Sequence, residues 1–354
     1  MIYWNNSYIC EYLIRNPEHI DQLFANFFIN VKDSIGFLFE LVQVVKTVAN
    51  SQNKEVFCEK LAQRDIFMVI TKTFLALQNP TDESLQDEAT RNTLKINLIL
   101  ILSFVIEGQM NAFVNFLQNN SESHLLLTVL KDNLFNGDQG LQIQITDLFK
   151  FLIDYHYEER NEILDIFYGT WLPSFLEHFQ QMEHNDRFAS FVQQYIELLS
   201  HCVRLHGYRI RHYIIHHKLL HELYKGLKDK DKSTSLAIIR FVKNIVVAKD
   251  EFLLKYITSN NLLDEIFQVY LRNFRKDNLL SSACLDFFNT LHKENLTKLI
   301  NHFGACFKEK IVEYGLTNTF KKILDIYDGS ANRMNIEGDN SQAQITNDYN
   351  TPMM

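Results

Sequence analysis

An all-α, armadillo/HEAT-like α-solenoid is the fold class this sequence predicts, on three observations. Segments with helical hydrophobic spacing follow one another along most of the 354 residues, apolar side chains returning at i, i+3 and i+4. Only 4 Pro and 11 Gly interrupt them, too few turn residues for a sheet protein or a set of catalytic loops. Third, the chain repeats itself. Tyr213-Ile214-Ile215 and Leu219-Leu220-His221-Glu222-Leu223 are answered 43 residues later by Tyr256-Ile257-Thr258 and Leu262-Leu263-Asp264-Glu265-Ile266. Ala237-Ile238-Ile239-Arg240-Phe241 is answered 46 residues later by Ala283-Cys284-Leu285-Asp286-Phe287, which places an insertion near Arg272 to Lys276. Repeats of about 40–47 residues built from two or three helices are the signature of armadillo and HEAT arrays. One such unit cannot bury its own apolar face and must stack on its neighbours.

The elements follow in order. Ile9, Tyr12 and Leu13 share one helix face, and Ile20, Leu23, Phe24, Phe27 and Phe28 share the next, with Asn16-Pro17 as the turn. Asp33 can cap a third helix, 34–49, whose face is Phe37, Leu38, Leu41, Val44, Val45 and Val48. Glu55 to Leu77 holds two helices that meet at Asp65. The same six-position phrase recurs around Lys218, Asn261 and Gly315, where Asp and Asn suit a helix cap and Gly permits a turn. Residues 79–88 form a polar loop. Thr90 to Leu117 and Leu125 to Leu134 are helical, and a break with two glycines follows at 133–140. Leu141 to Tyr157 and Asn161 to Phe179 make the next pair, 178–187 is a charged loop, and Ala189 to His206 is a long amphipathic helix. After the repeated stretch, Leu296 to Phe307 and Lys308 to Tyr327 close the array. The helical domain is expected over 1–328. From Gly329 to 354 the composition turns to Asn, Gln, Ser, Thr, Gly and Asp, that of a disordered tail.

Bulk composition narrows the function. The apolar and charged fractions, 46% and 22%, are those of a folded soluble protein. A net charge of −8 disfavours nucleic acid as a partner. Yet Arg187 to Lys232 carries nine Lys/Arg against four Asp/Glu, a local basic ridge suited to an acidic protein surface or simply to solvent. The five cysteines, Cys10, Cys58, Cys202, Cys284 and Cys306, have no zinc-ligand spacing. Each sits among apolar residues as a small hydrophobe, which points to a reducing compartment. The longest apolar run, Leu98 to Ile106, is far shorter than the roughly 20 residues of a membrane span; it reads as a helix buried on most sides.

No catalytic pattern stands out. There is no GxSxG elbow, P-loop or dinucleotide fingerprint, so no cofactor is expected. Adjacent carboxylates such as Glu158/Glu159 diverge by about 100° on a helix and cannot face one substrate. Asp250/Glu251 instead cap and charge a helix start. His212/His216 and His217/His221 are i,i+4 pairs that could each bite a metal. No Glu lies between the members of either pair and no third ligand is evident, so an exposed, partly basic helix face is the simpler reading.

The stretch Arg240-Phe241-Val242-Lys243-Asn244-Ile245-Val246-Val247-Ala248-Lys249-Asp250-Glu251-Phe252 resembles the most recognisable phrase of the SMEK/falafel family, the regulatory subunit 3 proteins of protein phosphatase 4. The resemblance continues through Asn278-Leu279-Leu280-Ser281-Ser282-Ala283 and Glu294-Asn295-Leu296-Thr297-Lys298-Leu299. Tyr208-Arg209-Ile210-Arg211-His212 fits just upstream. Ser281 stands where the family pattern has a second Asn. The specific match runs over 187–325; residues 1–186 match in helical layout.

The resemblance implies a non-catalytic scaffold that binds a serine/threonine phosphatase catalytic subunit and a second regulatory subunit, in nucleus and cytoplasm. The alternative is an unrelated armadillo/HEAT adaptor. Family members also carry a PH-like domain before this region and long charged tails with nuclear signals after it; neither pattern is present in this sequence. Phe241, Phe252, Tyr256, Leu279, Leu280 and Ala283 read as core or inter-repeat packing. Arg209, Arg211, Arg240, Lys243, Asn244, Lys249, Asp250, Glu251, Asn278 and Ser281 are the candidate partner-facing residues.

Overall fold

The computed structural model describes residues 6–16, 18–19, 22, 41–46, 53–78, 87–120, 122–154, 162–181, 186–228, 231–316 and 318–330. Among them every regular element is a helix and no strand occurs. The expectations at Pro17, at Phe27 and Phe28, for the Asp33 cap, for most of the loop at 79–88 and for the tail beyond Ser330 lie outside the described residues. The helices are α1 (Asn6–Arg15), α2 (Lys54–Ala62), α3 (Ile66–Gln78), α4 (Glu88–Gly108), α5 (Met110–Asn119), α6 (Ser123–Asn136) and α7 (Gln139–Asp154). They continue with α8 (Glu162–Ile166), α9 (Leu172–Gln181), α10 (Asp186–Leu205), α11 (Gly207–His216), α12 (Leu219–Lys225) and α13 (Lys232–Val247). The last are α14 (Glu251–Ser259), α15 (Leu262–Asn273), α16 (Leu279–Lys293), α17 (Thr297–Glu313) and α18 (residues 318–330). A short helical stretch at 41–46 buries Leu41, Val44 and Val45.

The chain forms two compact units, Met1–Leu198 and Leu199–Met354. In the first, α3 packs on α6 and α4 on α7. The apolar run in α4 is core: Leu98, Ile101, Leu102, Val105 and Ile106 are fully buried. α4 is long and apolar enough to cross a membrane by length and composition alone, but its apolar residues are taken up by protein. The helix expected over Thr90 to Leu117 breaks at Gln109, whose backbone leaves the helical region. Gly108 allows the approach there, since a Cβ on it would lie 2.6 Å from Cys58 Sγ. The helix expected over Asn161 to Phe179 contains a π turn at Phe167–Trp171. Pro173 has no N–H to give the carbonyl of Gly169, so the ladder shifts to i→i−5, and the Leu172 N–H bonds the Phe167 carbonyl. The loop expected at 178–187 is largely helix, since α9 runs to Gln181 and α10 starts at Asp186.

In the second unit the repeat is visible as like packing on like. α11 lies on α14 and α14 on α17, α12 lies on α15, and α13 lies on α16. This is what a repeat that cannot close its own core must do. The array ends with α17 running unbroken to Glu313, not stopping at Phe307, before Gly315 turns the chain into α18.

The recurring turn residues play a different part from the one their types suggest. Asp65, Lys218, Asn261 and Gly315 all have left-handed backbone, φ +53, +49, +52 and +59. The side chains of Lys218 and Asn261 make no cap hydrogen bond. Each of the four N–H groups donates instead to the carbonyl three residues back, at 3.1–3.3 Å, and the preceding helix ends in an αL cap. Lys249 and Asn295, 46 residues apart like the second sequence echo, repeat the device at φ +56 and +51. Leu296 and Leu316 complete Schellman bonds to Leu291 and Ile311 at 3.0 and 3.3 Å. Side-chain N-caps occur elsewhere: Asp87, Asp231, Asp250 and Asn278 each accept from the first turn of the following helix. A lysine at φ +49 is strained by about 1–2 kcal/mol, while glycine adds chain entropy to the unfolded state. Lys218→Gly is therefore expected to raise stability by about 0.5–1 kcal/mol in urea unfolding.

Of the cysteines whose side chains are described, Cys58, Cys202 and Cys284 are buried. Cys306 differs from expectation: it is exposed, because α17 turns Phe303 and Phe307 inward and leaves this position outside. Burial pushes the Cys284 thiol up to about 12. An alkylating reagent at pH 8 is expected to modify Cys306 and spare Cys284 until the protein unfolds, as read by peptide mass mapping.

Candidate protein-interaction surface

Asp250 organises the surface. Its Oδ1 accepts from the backbone N–H groups of Phe252 and Leu253, both at 3.0 Å, and so starts α14. Its Oδ2 accepts from Arg211 Nη1 at 2.9 Å, tying α11 to α14. The Arg211 guanidinium lies 5.2 Å from the Tyr208 ring centroid and 4.6 Å from that of Phe252, within cation–π range. Both rings face solvent, at 71% and 64% exposure. From sequence, Phe252 and Leu279 read as core or inter-repeat packing; Phe252 meets Arg211 of the preceding repeat but is not core, and Leu279 is 63% exposed. The reason is common to both. Each sits in the first turn after a capping residue, while the following residues, Leu253 and Leu254 or Leu280, turn inward.

Beside Phe252 a groove of about 460 Å³ opens between α14 and α17, lined by Glu251, Phe252, Leu254, Lys255, Thr258, Lys298 and His302. Lys298 Nζ reaches Glu251 Oε1 at 3.4 Å across it. Burial holds the His302 imidazole below its ordinary value.

The other candidates fall into two settings. On α13, Arg240 is exposed, Asn244 is half-buried, and Lys243 pairs with Asp286 of α16. Lys249 pairs with Glu294 at 2.8 Å. Arg209 is half-buried, and Glu251 is exposed at the rim of the groove. Asn278 Oδ1 accepts from Ser281 N at 2.8 Å to cap α16, its Nδ2 donates to Asn273 Oδ1 at 3.3 Å, and Ser281 itself is buried. The structure thus gathers Arg211, Lys249, Asp250 and Glu251 at the start of α14, and it uses Asn278 and Ser281 within the fold. Sequence reasoning missed Tyr208, Phe252 and Lys298 as surface residues. The signal for Phe252 was present: with Leu253, Leu254 and Ile257 claiming the inward face, a residue about 100° away must point out.

The histidines are spread over several environments. His212 and His216 stack at 5.5 Å, and His221 Nδ1 shares a 2.9 Å hydrogen bond with the Tyr256 hydroxyl. Burial, then the neighbouring imidazoles, lower His217. Among the described residues no three His, Cys, Asp or Glu side chains gather as a ligand set.

Three-helix repeats stacked like on like in the second unit, with ion pairs between successive repeats, define a helical-repeat protein of the armadillo/HEAT type. The sequence model of the phosphatase 4 regulatory subunit 3 family matches residues 1–329, and the chain belongs to that family. It is 22% identical to Suppressor of Mek1 of Dictyostelium discoideum over 93% of this chain and 33% of that protein. It is 23% identical to the serine/threonine-protein phosphatase 4 regulatory subunit 3 of Drosophila melanogaster over 86% of this chain and 31% of that protein. A mouse relative, Protein PPP4R3C1, is 30% identical over 41% of this chain and 18% of that protein. The chain spans about a third of the length of the first two relatives.

Proposed function

We propose that this chain is a non-catalytic scaffold subunit that binds a phosphatase 4-type catalytic subunit, together with a second regulatory subunit, and positions the enzyme on its targets. The observation that carries the reading is the family match over 1–329, joined to a helical-repeat fold of the kind that offers protein-binding surface. The candidate contacts are Arg211, Lys249, Asp250 and Glu251 at the start of α14, Arg209 in the first turn of α11, and Arg240, Lys243 and Asn244 on α13. Residence in both nucleus and cytoplasm accompanies this role.

Tagged chain purified from its own cells is expected to bring down a serine/threonine phosphatase catalytic subunit, identified by mass spectrometry. Repeated recovery of the chain without any such subunit would overturn the proposal. A fluorescent fusion confined to one compartment would overturn the dual location alone.

A further inference from the structure

The groove between α14 and α17 and the Tyr208–Arg211–Phe252 stack form one continuous surface, because Phe252 belongs to both. Exposed Tyr and Phe on either side of an Arg are the residue types that dominate binding energy at protein interfaces. Here they are held in place before any partner arrives, since Asp250 fixes the guanidinium and the guanidinium fixes both rings.

Charge selects the occupant. Arg211, Lys249, Lys255 and Lys298 lie on α11, just before and along α14, and on the first turn of α17. Against them stand Asp250, Glu251 and Glu294. Asp250 is committed to the cap and to Arg211, and Glu294 to Lys249. Glu251 meets Lys298 only at 3.4 Å, with both side chains about three-quarters or more exposed. So exposed a pair is weak and readily exchanged for another carboxylate. On a chain of net charge −8, this face carries an excess of cations around an apolar slot.

We propose that this surface docks a short acidic segment of a partner protein. One aromatic side chain of that segment enters the groove beside Phe252 and Leu254, and flanking carboxylates meet Lys255 and Lys298. The inference rests on reading the chain as a protein-binding scaffold. Its test uses purified chain alone, so its failure is distinct from failure to recover a phosphatase.

The probe is a fluorescein-labelled decapeptide with one central Phe among Asp and Glu, followed by fluorescence polarisation. Parallel probes carry Ala for the Phe, Lys for the acids, or a labelled oligothymidylate of similar length. The acidic Phe peptide is expected to bind, the Ala peptide to bind on the order of tenfold more weakly, and the other two not to bind. Lys255→Glu and Phe252→Ser are each expected to weaken binding by on the order of tenfold. Both side chains are exposed, so helical circular dichroism and Tm should match the parent. Lys321→Glu, at an exposed position of α18, should leave binding unchanged. The proposal is overturned if the acidic peptide does not bind, if folded Lys255→Glu and Phe252→Ser proteins bind it like the parent, or if the basic peptide or the oligonucleotide binds as tightly.

Discussion

Phe267→Ala should cost about 3–5 kcal/mol of stability, the range for removing a fully buried phenylalanine, and should be the most damaging single truncation in the second unit. The ring is fully buried. Its centroid lies 4.8 Å from that of Phe307, 5.1 Å from Phe303, 5.8 Å from Phe320 and 6.0 Å from Phe288. Those four rings come from α16, α17 and α18, so Phe267 on α15 joins two successive layers of the array. Edge-to-face pairs add about 0.5–1.5 kcal/mol each beyond their buried area. Four neighbours anchored on three different helices cannot all collapse into the hole, so the cavity contribution is large. In a solenoid the loss is shared by whichever units propagate through that contact. Urea unfolding followed by far-UV circular dichroism is the measurement. A loss below about 1.5 kcal/mol, the level of a conservative hydrophobic swap, would mean that α15 is not the hub of this cluster. Phe274→Ala is the comparison, since Phe274 is only half-buried and its loss should cost less.

How far such a hub can be read beforehand depends on what a residue answers to. The periodicity that marks Ile266, Phe267, Val269 and Tyr270 as inward is local, and all four are buried. The 43- and 46-residue echoes reappear as Lys218 and Asn261, and as Lys249 and Asn295, in the same left-handed turns. That spacing was legible because each unit must place its turns where the next unit stacks. The physical role of those turns was not legible. Asp and Asn suit both an N-cap and an αL position, and only the backbone decides between them. The exposure of Phe252 and Leu279 is hidden for a related reason: composition marks them as apolar, but their position one or two residues after a cap points them away from the core. Ser281, named among the candidate partner-facing residues, is buried beneath the Asn278 cap. The Arg211–Asp250 bond spans 39 residues, and no local pattern announces it. The surface was therefore half legible: Arg211, Lys249, Asp250 and Glu251 are named from the sequence, while Lys255, Lys298 and the aromatics beside them are not.

Gly304 is the position where the smallest change should have a large effect. It lies in the middle of α17, where alanine would ordinarily gain about 1 kcal/mol in helix propensity. Here a Cβ would meet Tyr327 of α18, coming within 2.7 Å of its Cδ2 and 2.9 Å of its Cβ and closer still to its Cγ. The obstructing atoms are the root of the tyrosine side chain, not its flexible end, so a rotamer change cannot clear them. α18 must shift, and that strains both Phe320, packed against Phe303 and Phe288, and the Lys308–Asp328 bridge at 2.6 Å. Overpacking of this kind costs about 1–3 kcal/mol and sometimes more. Against the propensity gain, Gly304→Ala should lower stability by up to about 2 kcal/mol. The sign separates packing from propensity, and a second substitution separates packing from chain entropy. In the Tyr327→Ala background most of the obstruction is gone, so adding Gly304→Ala there should be neutral or stabilising. A thermal-melt double-mutant cycle would show this as a coupling of at least about 1 kcal/mol. Additive effects would mean that α17 and α18 do not meet at this contact.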